Sequence, residues 1–502
     1  MKKQKAVLWL TVFFLGAMLL FSACSSQDRS VTSITSSKGG NSSSPHEEES
    51  PSPPRQTASP SVMAGSVSGV EPAPTPGNTP SPTSGESPAH RPLWKTVERE
   101  ITTATERKLS LLLEDGSQWT VDLEGAAQQE VDYSKGNEAT VTYDENQRNG
   151  TRVKAASVQT SVPERYGKVD QLLSGMTLEE KVGQMFFVRC PDSQGAQDVE
   201  RYQFGGYILF GRDFKGLTAD QVRANVESYQ EKAKIPLLIG VDEEGGTVVR
   251  VSANPNLCEE PYWSPRSLYN TGGLSLVAWV ERDKLQVLSD LRINVNFAPV
   301  CDISQDPEAF MYDRSLGRDP ETTSQYIQEM VGIYRENSVG CVLKHFPGYG
   351  DNADTHTGVA IDQRPYERFR QEDFLPFQAG AQAGAGCVLV SHNVVTCVDS
   401  EYPASLSVKW HEELRKNLGF DGCVITDDLI MGAIQEYCDA SSAAVQAVIA
   451  GNDLLCCSDY ETQYPAVLEA VKMGEISQER IDQSVRRILR WKVDLNLLGQ
   501  PE

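Results

Sequence analysis

Several short stretches of this chain set titratable side chains beside apolar runs, at spacings suited to proton transfer and nucleophilic attack. The densest is Lys344-His345-Phe346-Pro347-Gly348-Tyr349-Gly350, which continues through Asp351-Asn352-Ala353 to Asp354-Thr355-His356. The apolar run before it, Val339 to Leu343, reads as a buried strand. A strand, then Pro and Gly, then a carboxylate and an imidazole two residues apart describes a catalytic loop at the C-terminal end of a barrel strand. Taken alone, Asp-x-His fits a solvated loop with a stray histidine equally well. The chain has 6 His in all, however, and this one segment holds His345 and His356.

Other apolar runs end in the same way. Asp242-Glu243-Glu244-Gly245-Gly246 leads to Arg250, where three carboxylates precede a glycine pair that permits close backbone approach to a ligand. Asp302 and then Asp313-Arg314-Ser315 follow another run, Ser391-His392-Asn393 a third, and Thr426-Asp427-Asp428-Leu429-Ile430-Met431 a fourth. A charge at the end of a buried strand is costly unless it is paired or acts. Repetition of such ends points to one shared site.

The elements that must position these groups alternate. Apolar runs at Met185 to Arg189, Gly206 to Phe210, Pro236 to Val241, Val295 to Val300, Cys341 to Leu343, Cys387 to Val390, Cys423 to Ile425 and Asp453 to Leu455 read as strands. Helix-like segments such as Thr218 to Lys232, Glu321 to Asn337, Glu367 to Ala383 and Ser477 to Trp491 lie among them. Thr177-Leu178-Glu179-Glu180 is a capping box expected to open the first helix. The pattern predicts an α/β fold, a (β/α)8 TIM-type barrel over residues 162–502. An open doubly wound sheet would want a phosphate-binding glycine fingerprint after its first strand, and none is present.

Upstream, the composition changes twice. Residues 1–24 form a signal-type segment: Lys2, Lys3 and Lys5, an apolar core, then Phe21-Ser22-Ala23-Cys24, which resembles a bacterial lipoprotein lipobox and implies export with lipidation of Cys24. Residues 25–92 are dominated by Ser, Pro, Thr and Gly and read as a disordered tether. Residues 93–160 alternate in short bursts around Asp115-Gly116, a hairpin signal, and predict a small all-β module, OB-like or SH3-like, serving as a spacer or cell-wall contact. A net charge of −23 argues against nucleic acid as a partner. The 11 Cys lie mostly in apolar runs without metal-ligand spacing, so free buried thiols are expected, with the vicinal pair Cys456-Cys457 unaccounted for.

The strand-end motifs, taken together and in order, carry a resemblance. Ile239-Gly240-Val241-Asp242-Glu243-Glu244-Gly245-Gly246, Asp313-Arg314-Ser315, Lys344-His345-Phe346-Pro347-Gly348 with Asp354-Thr355-His356, and Leu418-Gly419-Phe420-Asp421-Gly422 followed by Thr426 to Met431 resemble glycoside hydrolase family 3. The similarity is greatest to its single-domain, NagZ-type β-N-acetylglucosaminidases; it covers the barrel and neither the tether nor the module. The resemblance implies that Asp427 is the nucleophile of a retaining mechanism and that His356, oriented by Asp354, is the general acid/base. It implies that Asp242, Arg250, Arg314, Lys344 and His345 hold the sugar hydroxyls and the 2-acetamido group. An imidazole, with an unperturbed pKa of about 6.5, suits proton transfer near neutrality.

Asp428 could act directly or only support the loop, His392 could face the sugar or lie behind it, and Glu243 and Glu244 could be paired internally. Tyr349 stands where relatives often carry His. The implied protein is an exported, lipid-anchored glycosidase, with no metal or organic cofactor, that releases terminal non-reducing β-linked N-acetylglucosamine from peptidoglycan fragments or related glycans. A β-glucosidase with its acid/base on a second domain is disfavoured, because the Asp354–His356 pair stands in for that domain and the chain stops at Glu502. Phosphorolysis or broader β-glycosidase activity at the same site, and a non-catalytic glycan-binding lipoprotein, are the alternatives.

Overall fold

A computed structural model of the chain describes residues 92–128, 131–352, 355 and 358–499. The signal-type segment, Cys24 and the tether lie outside the described residues, as do Asp354 and His356.

Strands β1 (Trp94–Ala104), β2 (Lys108–Leu112), β3 (Gln118–Asp122), β4 (Ala127–Gln128), β5 (Glu138–Asp144) and β6 (Arg152–Ser161) form one sheet in the order β3-β2-β1-β5-β6-β4. A further pairing of β3 with β6 turns that sheet back on itself. The Asp115-Gly116 hairpin joins β2 to β3, with Leu109 opposite Val121 and Leu111 opposite Trp119 in register. Those residues, with Ile101, Val141, Tyr143 and Val153, make a separate apolar core. The long strands β1 and β6 mix charged and Thr/Ser residues with few large apolar ones, which hid them from a periodicity reading.

The second sheet is parallel throughout. It comprises β7 (Phe186–Arg189), β8 (Gly206–Leu209), β9 (Leu238–Val241), β10 (Val295–Asn296), β11 (Gly340–Phe346), β13 (Cys387–Val390), β15 (Cys423–Thr426) and β16 (Leu455–Cys457). These run in the order β15-β13-β11-β10-β9-β8-β7-β16, and a bridge between Ile425 and Leu454 brings the two edges together. The result is an eight-stranded parallel barrel. Short strands β12 (Ile361–Asp362) and β14 (Val394–Val395) pair with each other outside it. Helices including Ala219–Gln230, Pro320–Glu336, Phe374–Gln382 and Gln478–Asp494 follow their strands, close to the segments read as helical.

Three details differ from the sequence reading. The Thr177 capping box is present, but the helix it opens is preceded by Val169–Gly175. β10 is regular only over Val295–Asn296, because Pro299 has no N–H to give a ladder. β11 continues through Lys344, His345 and Phe346, so the first two charged groups stand on the strand and not in the loop after it.

Phe187 on β7 and Phe297 after β10 meet edge to face with centroids 5.3 Å apart. Gly240 on β9 lies between them: a Cβ there would stand 2.7 Å from Phe297 and 2.8 Å from Phe187. Residues on strands this far apart touch only on the concave side, so the pair fills the barrel interior.

The module packs on the barrel. Ala104 N donates to Gly419 O (3.2 Å), Lys135 N to Asp421 Oδ2 (3.2 Å), and Glu100 accepts from both Arg165 and Arg335 at 3.3 Å. Gly419 and Asp421 precede β15, which places these contacts at the N-terminal end of the barrel, away from the charged strand ends.

Gly240→Ala is expected to lower unfolding free energy by about 1–3 kcal/mol through overpacking. Denaturant unfolding measures this, and unchanged stability would contradict the interior placement.

Candidate active site

At the C-terminal strand ends the barrel opens into a cavity of about 730 Å³ lined by Asp242, Arg250, Arg314, Lys344, His345 and Asp427. The structure therefore brings together every sequence-predicted site residue among those it describes. Thr355, between the two undescribed members of the Asp354–His356 pair, is itself described and buried.

Glu244 lies at the base of the charged cluster. Arg314 approaches it as a fork, Nε to Oε2 at 2.9 Å and Nη2 to Oε1 at 2.7 Å. Lys344 Nζ lies 2.6 Å from Glu244 Oε1 and 2.8 Å from Asp242 Oδ1. Burial by itself would raise the Glu244 carboxyl, but Arg314 and Lys344 overcome it and hold the group well below the usual carboxylate range. Burial likewise opposes the Lys344 charge, and Asp242 and Glu244 reverse that and raise its pKa. Lys344 and Arg314 thus stay cationic beneath the cavity, fixed as donors.

Asp302, which follows β10, organises the next layer. Its Oδ2 accepts from His345 N (3.0 Å) and lies 2.7 Å from His345 Nδ1, while Oδ1 accepts from Tyr349 N (2.7 Å). His345 Nε2 is 3.3 Å from Arg314 Nη2. A guanidinium only donates, so Nε2 accepts and Nδ1–H donates to Asp302. His345 is a bound, oriented imidazole and not a mobile proton carrier.

The carboxylate run after β9 divides by role. Asp242 lines the cavity, whereas Glu243 turns inward and accepts from the backbone N–H of Arg250 (2.7 Å) and Val251 (2.7 Å) and from the Ser252 hydroxyl. Asn296 holds the Glu243 backbone from the other side, accepting from its N–H at 2.9 Å and donating to its carbonyl at 3.1 Å. Glu243 therefore shapes the loop that presents Arg250. The glycine pair packs closely on the chain that follows: a Cβ at Gly245 would stand 2.3 Å from Trp263 O, and one at Gly246 2.7 Å from Ser264 Cβ. Both glycines have positive φ, and they turn the chain tightly against Trp263 and Ser264.

Asp427 follows β15. Its N–H donates to Val390 O (3.3 Å) and its Oδ1 accepts from Asp428 N (2.9 Å). Asp428 is held by Ser458, whose N–H donates to Oδ1 at 3.1 Å and whose hydroxyl donates to Oδ2, and by Ile430 N (3.2 Å). Burial raises the Asp428 carboxyl against those bonds, and the Asp427 charge beside it adds to the rise. His392 Nε2 donates to Asp428 O (3.1 Å), and its Nδ1 lies 2.7 Å from Ser405 Oγ.

Sequence reasoning gave no role to Arg189, Asp302 or Ser458. Arg189 ends β7, lines the cavity and stacks over Phe210, 4.7 Å from the ring centroid, with Arg250 5.9 Å from the same ring. The signal for it was the same strand-end charge that marked the others. Cys456 lines the cavity and Cys457 follows it on β16, so the pleat sends the vicinal thiols to opposite sides. All ten described cysteines are free. Among the described residues no group of three or more His, Cys, Asp or Glu could hold a metal ion.

A carboxylate whose pKa falls on folding stabilises the fold above its ordinary value of 4.5, and that stabilisation is lost as pH falls below it. Glu244→Gln is therefore expected to cost about 3–5 kcal/mol at neutral pH, because it breaks a buried ionic cluster. The gap to wild type should narrow as pH drops below 4.5. Unfolding titrations across pH test this, and a pH-independent gap would contradict it.

Residues 177–491 match the model of the glycosyl hydrolase family 3 N terminal domain. Among curated relatives, β-hexosaminidase LpqI of Mycobacterium tuberculosis is 32% identical over 356 residues, spanning 67% of this chain and 88% of that protein. A solved glycoside hydrolase family 3 β-N-acetylglucosaminidase from Paenibacillus sp. str. FPU-7 superposes with a TM-score of 0.60 at 32% identity, covering 65% of this chain and 64% of its own. The solved structure of Mycobacterium tuberculosis LpqI gives 0.58 at 29% identity, covering 66% of this chain and 97% of its own. With the family model matched over most of the barrel and the charged strand ends gathered in one cavity, the chain belongs to glycosyl hydrolase family 3.

Proposed function

We propose that this protein is a retaining β-N-acetylhexosaminidase that removes terminal, non-reducing β-linked N-acetylglucosamine. The observation that carries the reading is Asp427, a carboxylate on the wall of a cavity also lined by the fixed donors Lys344, Arg314 and His345. The relatives named β-hexosaminidase and β-N-acetylglucosaminidase support the choice of sugar.

The bond changes follow from these groups. Asp427 attacks the anomeric carbon as His356 gives its proton to the glycosidic oxygen, and the aglycone leaves as an alcohol. His356, with Asp354 supporting its charged form, then takes a proton from water. That water attacks the same carbon and releases Asp427, so configuration is retained. Asp242 accepts from sugar hydroxyls and Arg250 donates to them. Lys344, Arg314 and His345, locked by Glu244 and Asp302, meet the substrate without reorganising.

The rest of the chain is read around that chemistry. Residues 1–24 export the protein and Cys24 anchors it by lipid to the outer face of the cell membrane. Residues 25–92 tether the folded part, and the small β module, of OB or SH3 type, serves as a spacer or wall contact. Peptidoglycan fragments are the proposed substrates.

The test is hydrolysis of an aryl β-N-acetylglucosaminide against an aryl β-glucoside, with and without phosphate. The acetamido sugar should be preferred, with free N-acetylglucosamine as product. A sugar phosphate would change the reaction to phosphorolysis, and no turnover of either would favour a binding protein. Asp427→Asn should fold and lose on the order of 10⁶-fold in kcat, the scale seen when a covalent nucleophile is removed. Wild-type-like turnover in that variant would remove the mechanism. Cys24→Ala should move the protein from the membrane to the soluble fraction, and retention at the membrane would remove the lipid anchor.

A further inference from the structure

Tyr349, in the loop after β11, carries a long side chain that ends in a hydroxyl. The ring is buried with Val300 and Met311, has Phe310 against it with centroids 5.6 Å apart, and meets the edge of His345 at 5.5 Å. Its own N–H is fixed on Asp302. With ring and backbone both held, the hydroxyl is delivered to one place: it accepts from Thr355 N at 2.9 Å and lies 2.7 Å from Thr355 Oγ1. On its other side Thr355 O accepts from Ala433 N at 3.3 Å, in the helix Gly432–Gln435 that follows the Asp427 loop. Thr355 therefore joins the β11 loop to the segment after the nucleophile.

Asp354 and His356 are the covalent neighbours of Thr355. We propose that Tyr349 is a positioning residue for proton transfer: its hydroxyl fixes Thr355, the residue that joins Asp354 to His356. This rests on the reading of His356 as general acid/base.

The stem of the same loop is held independently. Arg364 donates to Gly348 O at 3.0 Å and pairs with Asp362 (2.8 Å) and Asp373 (3.0 Å). Asn352 Nδ2 donates to Asp362 Oδ2 at 2.7 Å and to Tyr349 O at 2.8 Å. Removing only the hydroxyl leaves this clamp, the ring packing and the Asp302 contact in place. The loss falls on the contact with Thr355.

The test compares kcat/KM of Tyr349→Phe and wild type across β-N-acetylglucosaminides of graded leaving-group acidity. Poor leaving groups need the acid and activated aryl groups hardly do, and general acid catalysis contributes roughly 10²–10⁴-fold. Tyr349→Phe should lose about tenfold or more on alkyl glycosides, a fraction of that range, and little on nitrophenyl glycosides. Thr355→Val, which lacks the hydroxyl oxygen, should show the same split, and Thr355→Ser, which keeps it, should restore wild-type behaviour. Equal slowing of both substrate classes, or of neither, overturns the positioning role even if thermal stability falls. His356→Ala measured alongside separates the two readings. A leaving-group-dependent loss there without one in Tyr349→Phe overturns the role of Tyr349 alone, and no such dependence in His356→Ala brings down the acid/base assignment and this proposal with it.

Discussion

A carboxylate with almost no access to water sits beneath the sugar cavity: Glu244, gripped by the Arg314 fork and by Lys344. Burying one charge there would be prohibitive, and burying three succeeds because each lies within hydrogen-bond reach of an opposite one. The consequence is geometric. Glu244 follows β9, Arg314 lies after β10 and Lys344 stands on β11, so one ionic cluster fixes three neighbouring strand ends. The donors lining the cavity are therefore positioned by an interaction that lies beneath it.

Other acidic groups show the same division between holding and acting. Glu243 gathers backbone N–H groups to shape the Arg250 loop, Asp302 fixes His345 and Tyr349, and Asp428 is tied to Ser458 and Ile430. Asp242 and Asp427 line the cavity, as does Asp428 beside its bonds to Ser458 and Ile430. Asp242 and Glu243, adjacent carboxylates, thus do opposite work, because successive positions leaving a strand point to opposite sides. His345, oriented between Asp302 and Arg314, completes a wall whose direction is set before a ligand arrives.

Much of this was legible in the residues. Eight apolar runs marked the barrel strands, and the charges at their ends marked the site. What stayed hidden depends on contacts distant in sequence. Nothing local says that Glu243 turns inward while Asp242 faces the cavity, or that the glycine pair packs on Trp263 and Ser264. Asp302 was visible as a strand-end charge, but its role needed His345, 43 positions away. Lys344 and His345 were read as loop residues because charge usually ends a buried strand, yet the strand carries them inside since both are paired. The strands β1 and β6 were missed because their outer faces carry the charge and hydroxyls of an exposed sheet, which masks alternation.

The central claim is that Asp427 is the carboxylate that bonds to sugar. The direct measurement is mass spectrometry of the protein after reaction with a fluorinated N-acetylglucosaminide that forms the glycosyl-enzyme quickly and releases it slowly. The account predicts one sugar added per chain, located by fragmentation on Asp427. A sugar located on another carboxylate, such as Asp242 or Asp428, or an unmodified protein that still turns over the substrate, would contradict it.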